Sequence, residues 1–174
     1  MEMKELSRKD PAVRKVRRLY EASFPGNEKM PFRIILRMLD EHHKLYCLTE
    51  EEQFIGFVYM YLDMVSFLYY FAVEEQLRDK GYGTRILHML KGIGNTEKII
   101  LDIDQVTDDM TEADEAFRRL RFYEHAGYAR TGICYSFFSV DYELMAYPQG
   151  YTEEEYRELA VKIWGDYSRY IRYK

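Results

Sequence analysis

Three features of the sequence predict an α/β (α+β) chain with a mixed, mostly antiparallel twisted sheet flanked by helices. Apolar runs at 44–48, 54–62 and 65–73 are separated only by short polar turns, as in an antiparallel meander. A glycine turn and a helical stretch at 82–91 then lead to a continuous apolar run at 99–103, which predicts a right-handed parallel crossover. Helical periodicity recurs on both sides of this block, so helices should pack on the sheet faces.

In chain order, residues 1–6 read as a first strand. Asp10 and Pro11 form an N-cap followed by proline at the first helical position, and Val13, Val16, Leu19 and Tyr20 follow at helical spacing. Phe24-Pro25-Gly26 stops this helix, and 30–39 reads as a second. After the meander and crossover, Thr111 is the expected cap of a helix carrying Ala113, Ala116, Phe117, Leu120 and Tyr123, with Gly127 in the C′ position. Strands at 128–135 and 140–147 and a final helix at 152–170 complete the chain. Residues 1–174 are expected to form one domain, with 152–174 a C-terminal helical extension.

Composition narrows the function. A formal net charge of −5 disfavours nucleic-acid binding, which needs a basic surface. The basic stretch Arg14, Lys15, Arg17 and Arg18 reads as a solvated helix face. The 17 tyrosines suit a wet pocket or an interface, since each pairs an apolar body with a hydroxyl. Cys47 and Cys134 imply no disulfide framework. His42, His43 and Cys47 lie close in sequence, but no metal site is expected from them. With no signal segment and no long apolar run, the expected location is cytoplasmic, away from membranes. The last helix is expected to use its apolar stripe for core or homodimer packing, because its other face is acidic at residues 153–155.

The segment that carries chemistry follows the third meander strand. Phe71-Ala72-Val73 ends the strand, and Arg78, Asp79, Lys80, Gly81, Tyr82, Gly83 and Thr84 lead into a helix. Helix N-termini present unpaired N–H groups and partial positive charge, so such a turn can cradle a diphosphate. Rival phosphate motifs fit less well. Ile86 stands where a dinucleotide-binding GxGxxG needs a third small residue, and no Gly-Lys-Ser/Thr is present.

Val73-x4-Arg78-x2-Gly81-x-Gly83 resembles the acetyl-CoA motif of the GNAT acetyltransferases. Phe122-Tyr123 with Gly127-Tyr128 resembles the family's second signature, in the right order over about residues 2–147. The resemblance implies a sheet splayed between the fourth and fifth strands, with acetyl-CoA as co-substrate. Backbone around Ala72 and Val73 would pair with its pantetheine arm, and amides of residues 78–84 would hold its diphosphate. Val73 N–H would steady an oxyanion, and Tyr123 would protonate the leaving thiolate. The family's usual Asn falls at Ala116, and the strand glutamate of histone-acetylating relatives falls at Phe67.

An amine of pKa about 10.4 is free base in roughly one molecule in 2,500 at pH 7, so a general base is useful. The candidates, also candidate substrate contacts, are Glu28, Tyr69, Asp102 and Asp104, with a water-mediated base equally open. The expected reaction is acetyl transfer to an amine, on a small molecule or a peptide. The alternative is a non-catalytic acetyl-CoA-binding sensor or interaction module on the same fold.

Overall fold

The computed structural model describes residues 1–26 and 29–174. Eight strands make a mixed, mostly antiparallel sheet with helices flanking it, and β4 (Val65–Val73) and β5 (Lys98–Asp104) run parallel. The chain divides into two compact units. One comprises Met1–Asp63 and Leu68–Met89, the other Met64–Phe67 and Leu90–Lys174. The division falls inside β4.

In the first unit the strand order is β1 (Glu2–Glu5), β2 (His43–Glu50), β3 (Gln53–Tyr61), then the greater part of β4. β2 and β3 pair antiparallel from His43↔Tyr61 to Glu50↔Gln53. Glu51 and Glu52 both take positive φ, 49° and 64°, as a two-residue hairpin turn requires. Helix α1 (Val13–Ser23) buries Val16, Leu19 and Tyr20, while Arg14, Lys15, Arg17 and Arg18 are exposed, as their pattern predicts. Its start differs from expectation. The N-cap is Ala12, and Asp10 instead accepts from Ala12 N–H at 2.9 Å, in the turn leading in. Helix α2 (Phe32–Met38) follows, buried through Phe32 and Ile35. Helix α3 (Tyr82–Leu90) buries Ile86 and Leu87.

In the second unit the order is β5, β7 (Val140–Tyr147), β6 (Ala129–Phe137) and β8 (Arg172–Tyr173). The opening of β4 belongs here, where Met64 C=O accepts from the N–H groups of Glu97 and Lys98 at 2.8 and 3.1 Å. Helix α4 (Glu115–His125) starts a turn later than expected. Thr111 bonds to Asp114, and Asp114 is the N-cap residue. Gly127, φ +88°, does close the helix. Helix α5 (Glu153–Trp164) opens on a Thr152–Glu155 capping box and ends at Gly165, φ +55°. The expected long last helix is thus three pieces: α5, a 3-10 stretch at Gly165–Tyr170, and β8 paired to β6. Among the described residues, no helix is long and apolar enough to cross a membrane.

Candidate active site

The glycine turn lies wholly in the first unit. Leu77, buried, anchors a 3-10 turn at Glu75–Leu77. Beyond it Arg78 is extended, Asp79 takes φ +59° and Gly81 takes φ +79°. Alternating left-handed residues turn successive N–H groups toward one side, which suits an anion. Only Gly81 adopts this conformation without steric cost, and a Cβ built there would meet open space. The first intrahelical bond of α3 runs from Arg85 N–H to Gly81 C=O at 3.1 Å. The amides of Tyr82, Gly83 and Thr84 therefore precede the ladder. Arg78, Asp79 and Lys80 are exposed around this opening. The turn fits a diphosphate in backbone geometry and in charge.

Side chains missed in the sequence reading brace the turn. Glu50, at the end of β2, accepts from Tyr82 Oη at 2.9 Å and from both Arg85 terminal nitrogens at 2.5 and 3.3 Å. Arg85 and Tyr82 hold the Glu50 carboxyl down to about 2. The Tyr82 side chain thus faces β2 and leaves its amide to the turn. Gly56 on β3 is a second omission. A Cβ there would sit 2.2 Å from Ala72 C=O, so only glycine allows β3 this close to the end of β4. Its signal was a glycine inside an otherwise apolar strand. Ala72 and Val73 are both buried. Val73 C=O accepts from Arg78 Nε at 3.4 Å, and Arg18 on α1 pairs with Glu74 at 2.8 Å.

Tyr69, also in the first unit, is 9% exposed and stacks on Tyr59 with ring centroids 5.0 Å apart. Its hydroxyl lies 3.5 Å from His43 Nε2. Tyr20 Oη donates to Met30 C=O at 2.7 Å, and Met30 N–H donates to Tyr70 Oη at 2.9 Å. These bonds pin one end of the connection between α1 and α2. Glu28, the candidate in that connection, lies outside the described residues.

In the second unit Asp102, Asp104 and Tyr123 share one charged neighbourhood. Arg119 on α4 donates to Asp104 at 2.8 Å, an ion pair that occupies this carboxylate. Asp102 accepts from Tyr135 Oη at 2.6 Å. Burial pushes the Asp102 carboxyl up to about 6; Tyr135 opposes this and Asp104 adds to it. Tyr123 packs against Phe122 and Tyr128 at 5.2 and 5.9 Å. Burial pushes its phenol up to about 12, with Arg119 opposing and Asp102 adding. It stays protonated across the neutral range, as a proton donor must. Ala116 is half-buried on α4, and Phe67, fully buried, packs against Tyr156 and Trp164. Among the described residues no group of three or more His, Cys, Asp or Glu is placed to hold a metal.

This chain belongs to the GNAT acetyltransferases: the family model described as "Acetyltransferase (GNAT) domain" matches residues 41–130. Solved structures carry the same fold. A GNAT-family protein from Bacteroides thetaiotaomicron is 22% identical at TM-score 0.74, covering 94% of this chain and 96% of its own. An aminoglycoside 6'-N-acetyltransferase complexed with coenzyme A is 17% identical at TM-score 0.62, covering 84% and 96%. A spermidine N-acetyltransferase variant from Vibrio cholerae is 16% identical at TM-score 0.61, covering 84% and 94%. No curated protein sequence matches the chain.

Proposed function

We propose that the chain transfers an acetyl group from acetyl-CoA to the amine of a small cationic acceptor, by direct attack in a ternary complex. The observation that carries this reading is the turn of Asp79 and Gly81, at φ +59° and +79°, opening α3 after β4 and the 3-10 turn that follows it. It supplies backbone donors for a diphosphate in a chain of this family. Two structural neighbours are named for small amine acceptors, an aminoglycoside and spermidine, which supports the acceptor class.

In this reading the amides of residues 78–84 bind the diphosphate, with Arg78 and Lys80 adding positive charge. Backbone at Ala72 and Val73 orients the pantetheine arm, and Val73 N–H faces the charge that develops on the acyl oxygen. Acetyl-CoA supplies the activated carbonyl and a thiol leaving group. The amine forms the new C–N bond as the C–S bond breaks, Tyr123 gives its proton to the departing sulfur, and the N–H proton lost as the nitrogen becomes an amide replaces it on Tyr123. Asp102, with its carboxyl near 6, and Tyr69 are the candidate bases among the described residues.

The test is CoA release over an acceptor panel containing spermidine and kanamycin, alongside calorimetric acetyl-CoA binding. Turnover with one of these amines is expected. Tyr123→Phe should lower kcat about 100-fold while leaving acetyl-CoA affinity within twofold. Tight binding without turnover on any amine would overturn the enzymatic reading and support a sensor or interaction module instead. Unchanged kcat in Tyr123→Phe would remove the acid role alone.

A further inference from the structure

We propose that Asp40, His43 and Tyr69 form a proton relay that deprotonates the acceptor amine, an assignment that rests on the acyltransferase reading above. The three residues come from three places in the first unit: the connection after α2, the first residue of β2, and the middle of β4. Asp40 Oδ1 lies 3.2 Å from His43 Nδ1, and His43 Nε2 lies 3.5 Å from Tyr69 Oη.

Asp40 is built as an acceptor. Its Oδ1 also takes the backbone N–H of His42 at 2.8 Å and of His43 at 2.7 Å. Burial opposes ionisation of this carboxyl, but the two backbone donors and the His43 ring outweigh it, so it stays below its ordinary value. An ionised carboxylate can only accept, so the proton of a neutral His43 sits on Nδ1. Nε2 then carries the lone pair toward Tyr69.

Packing holds this orientation. The His43 ring stacks near Tyr59 and Tyr69 at 6.4 and 6.1 Å and meets Tyr61 edge-on at 5.3 Å. The ring side chain is 11% exposed, so it has little freedom to turn over. Burial lowers its pKa, Asp40 pulls it back up, and His42 adds to the lowering. His43 is therefore neutral and able to accept at pH 7. Among the described residues, the groups facing it are Asp40, His42, Tyr59, Tyr61 and Tyr69.

The step balances without an added reagent. The acceptor arrives as an ammonium, which tyrosine ring faces attract. One N–H proton passes to Tyr69 Oη as the Tyr69 hydroxyl proton passes to His43 Nε2, leaving an imidazolium against Asp40. The freed nitrogen lone pair forms the C–N bond. His43 later returns its proton to solvent through the same hydroxyl. Tyr69 is the catalytic residue, touching substrate; His43 takes the proton through it, and Asp40 is a positioning residue.

The test uses the full chain with spermidine and kanamycin as acceptors. His43→Gln and Tyr69→Phe should each lower kcat/KM about 100-fold at pH 7 with acetyl-CoA affinity unchanged. Asp40→Asn keeps the oxygen that accepts the backbone N–H groups, and should lower kcat/KM about 10-fold. In wild type, the acidic limb of the kcat/KM profile should match the pKa of His43 read by NMR of 15N-histidine-labelled protein. His43→Gln should abolish that limb. The same spectra should show the Nδ1-H tautomer, with the Nε2 resonance shifted in Tyr69→Phe. If wild type turns over and His43→Gln stays within twofold, or the Nε2-H tautomer is found, the relay is overturned and the acyltransferase reading stands. If wild type acetylates no amine, the acyltransferase reading falls and takes the relay's catalytic role with it.

Discussion

At Asp102 a carboxyl is placed where its charge is disfavoured. Burial lifts it from 3.8 to about 6, and the hydrogen bond from Tyr135 recovers part of the loss. The sign follows from proton linkage. The folded state holds a proton on Asp102 that the unfolded chain releases, so this contribution is full below pH 4 and is lost as pH rises through about 6. A shift of this size corresponds to about 3 kcal/mol. Asp102→Asn keeps an oxygen for Tyr135 and removes the titration. Urea unfolding should therefore show the variant gaining on wild type between pH 4 and 7; a constant margin would show that the carboxyl is not held neutral. Its neighbour Asp104 differs because Arg119 reaches it at 2.8 Å. Two aspartates two residues apart look alike in sequence, and the residue on α4 that separates them lies 15 positions away from Asp104.

Secondary-structure elements show the same contrast. β4 and β7 run over the residues their patterns predicted, because alternation and turn residues are local signals. Helix starts moved by a few residues, since a cap is decided by which side chain reaches which N–H. The β2–β3 hairpin has a further consequence. Glu51 and Glu52 are both left-handed, a conformation that costs about 1 kcal/mol or more for a residue with a Cβ. The double substitution Glu51→Asn, Glu52→Gly should raise stability by about 1–2 kcal/mol, or roughly 2–8 °C in Tm. No gain in a thermal melt would mean the two glutamates are held without strain. Glu50 immediately before the turn is left unchanged, because it ties β2 to Tyr82 and Arg85 at the start of α3.

For the whole molecule, the proposed binding of acetyl-CoA predicts a response that needs no acceptor. Ligand at 100 times its Kd stabilises by about 2.7 kcal/mol, which is roughly 5–10 °C in Tm for a chain of this length. Coenzyme A should produce most of this shift, since it carries the same diphosphate as acetyl-CoA, the group proposed to bind at the turn of residues 78–84. Gly81→Val should abolish it, because valine at φ +79° is strained. A full shift in Gly81→Val would place the diphosphate elsewhere.

The order of elements as far as β7, the crossover and the glycine turn were legible in the amino-acid order. Each depends on periodicity or on the conformational freedom of one or two residues, information that lies within a dozen positions. So did the family resemblance, carried by two short motifs. What needed the folded chain were meetings between distant residues: His43 with Tyr69 across 26 positions, and Asp102 with Tyr135 across 33. Gly56 against Ala72 belongs with them, since its need for a missing Cβ exists only once β3 and β4 lie side by side. Strand pairing sets these distances. A histidine that read as an idle neighbour of Cys47 stands, in three dimensions, between an aspartate and a tyrosine.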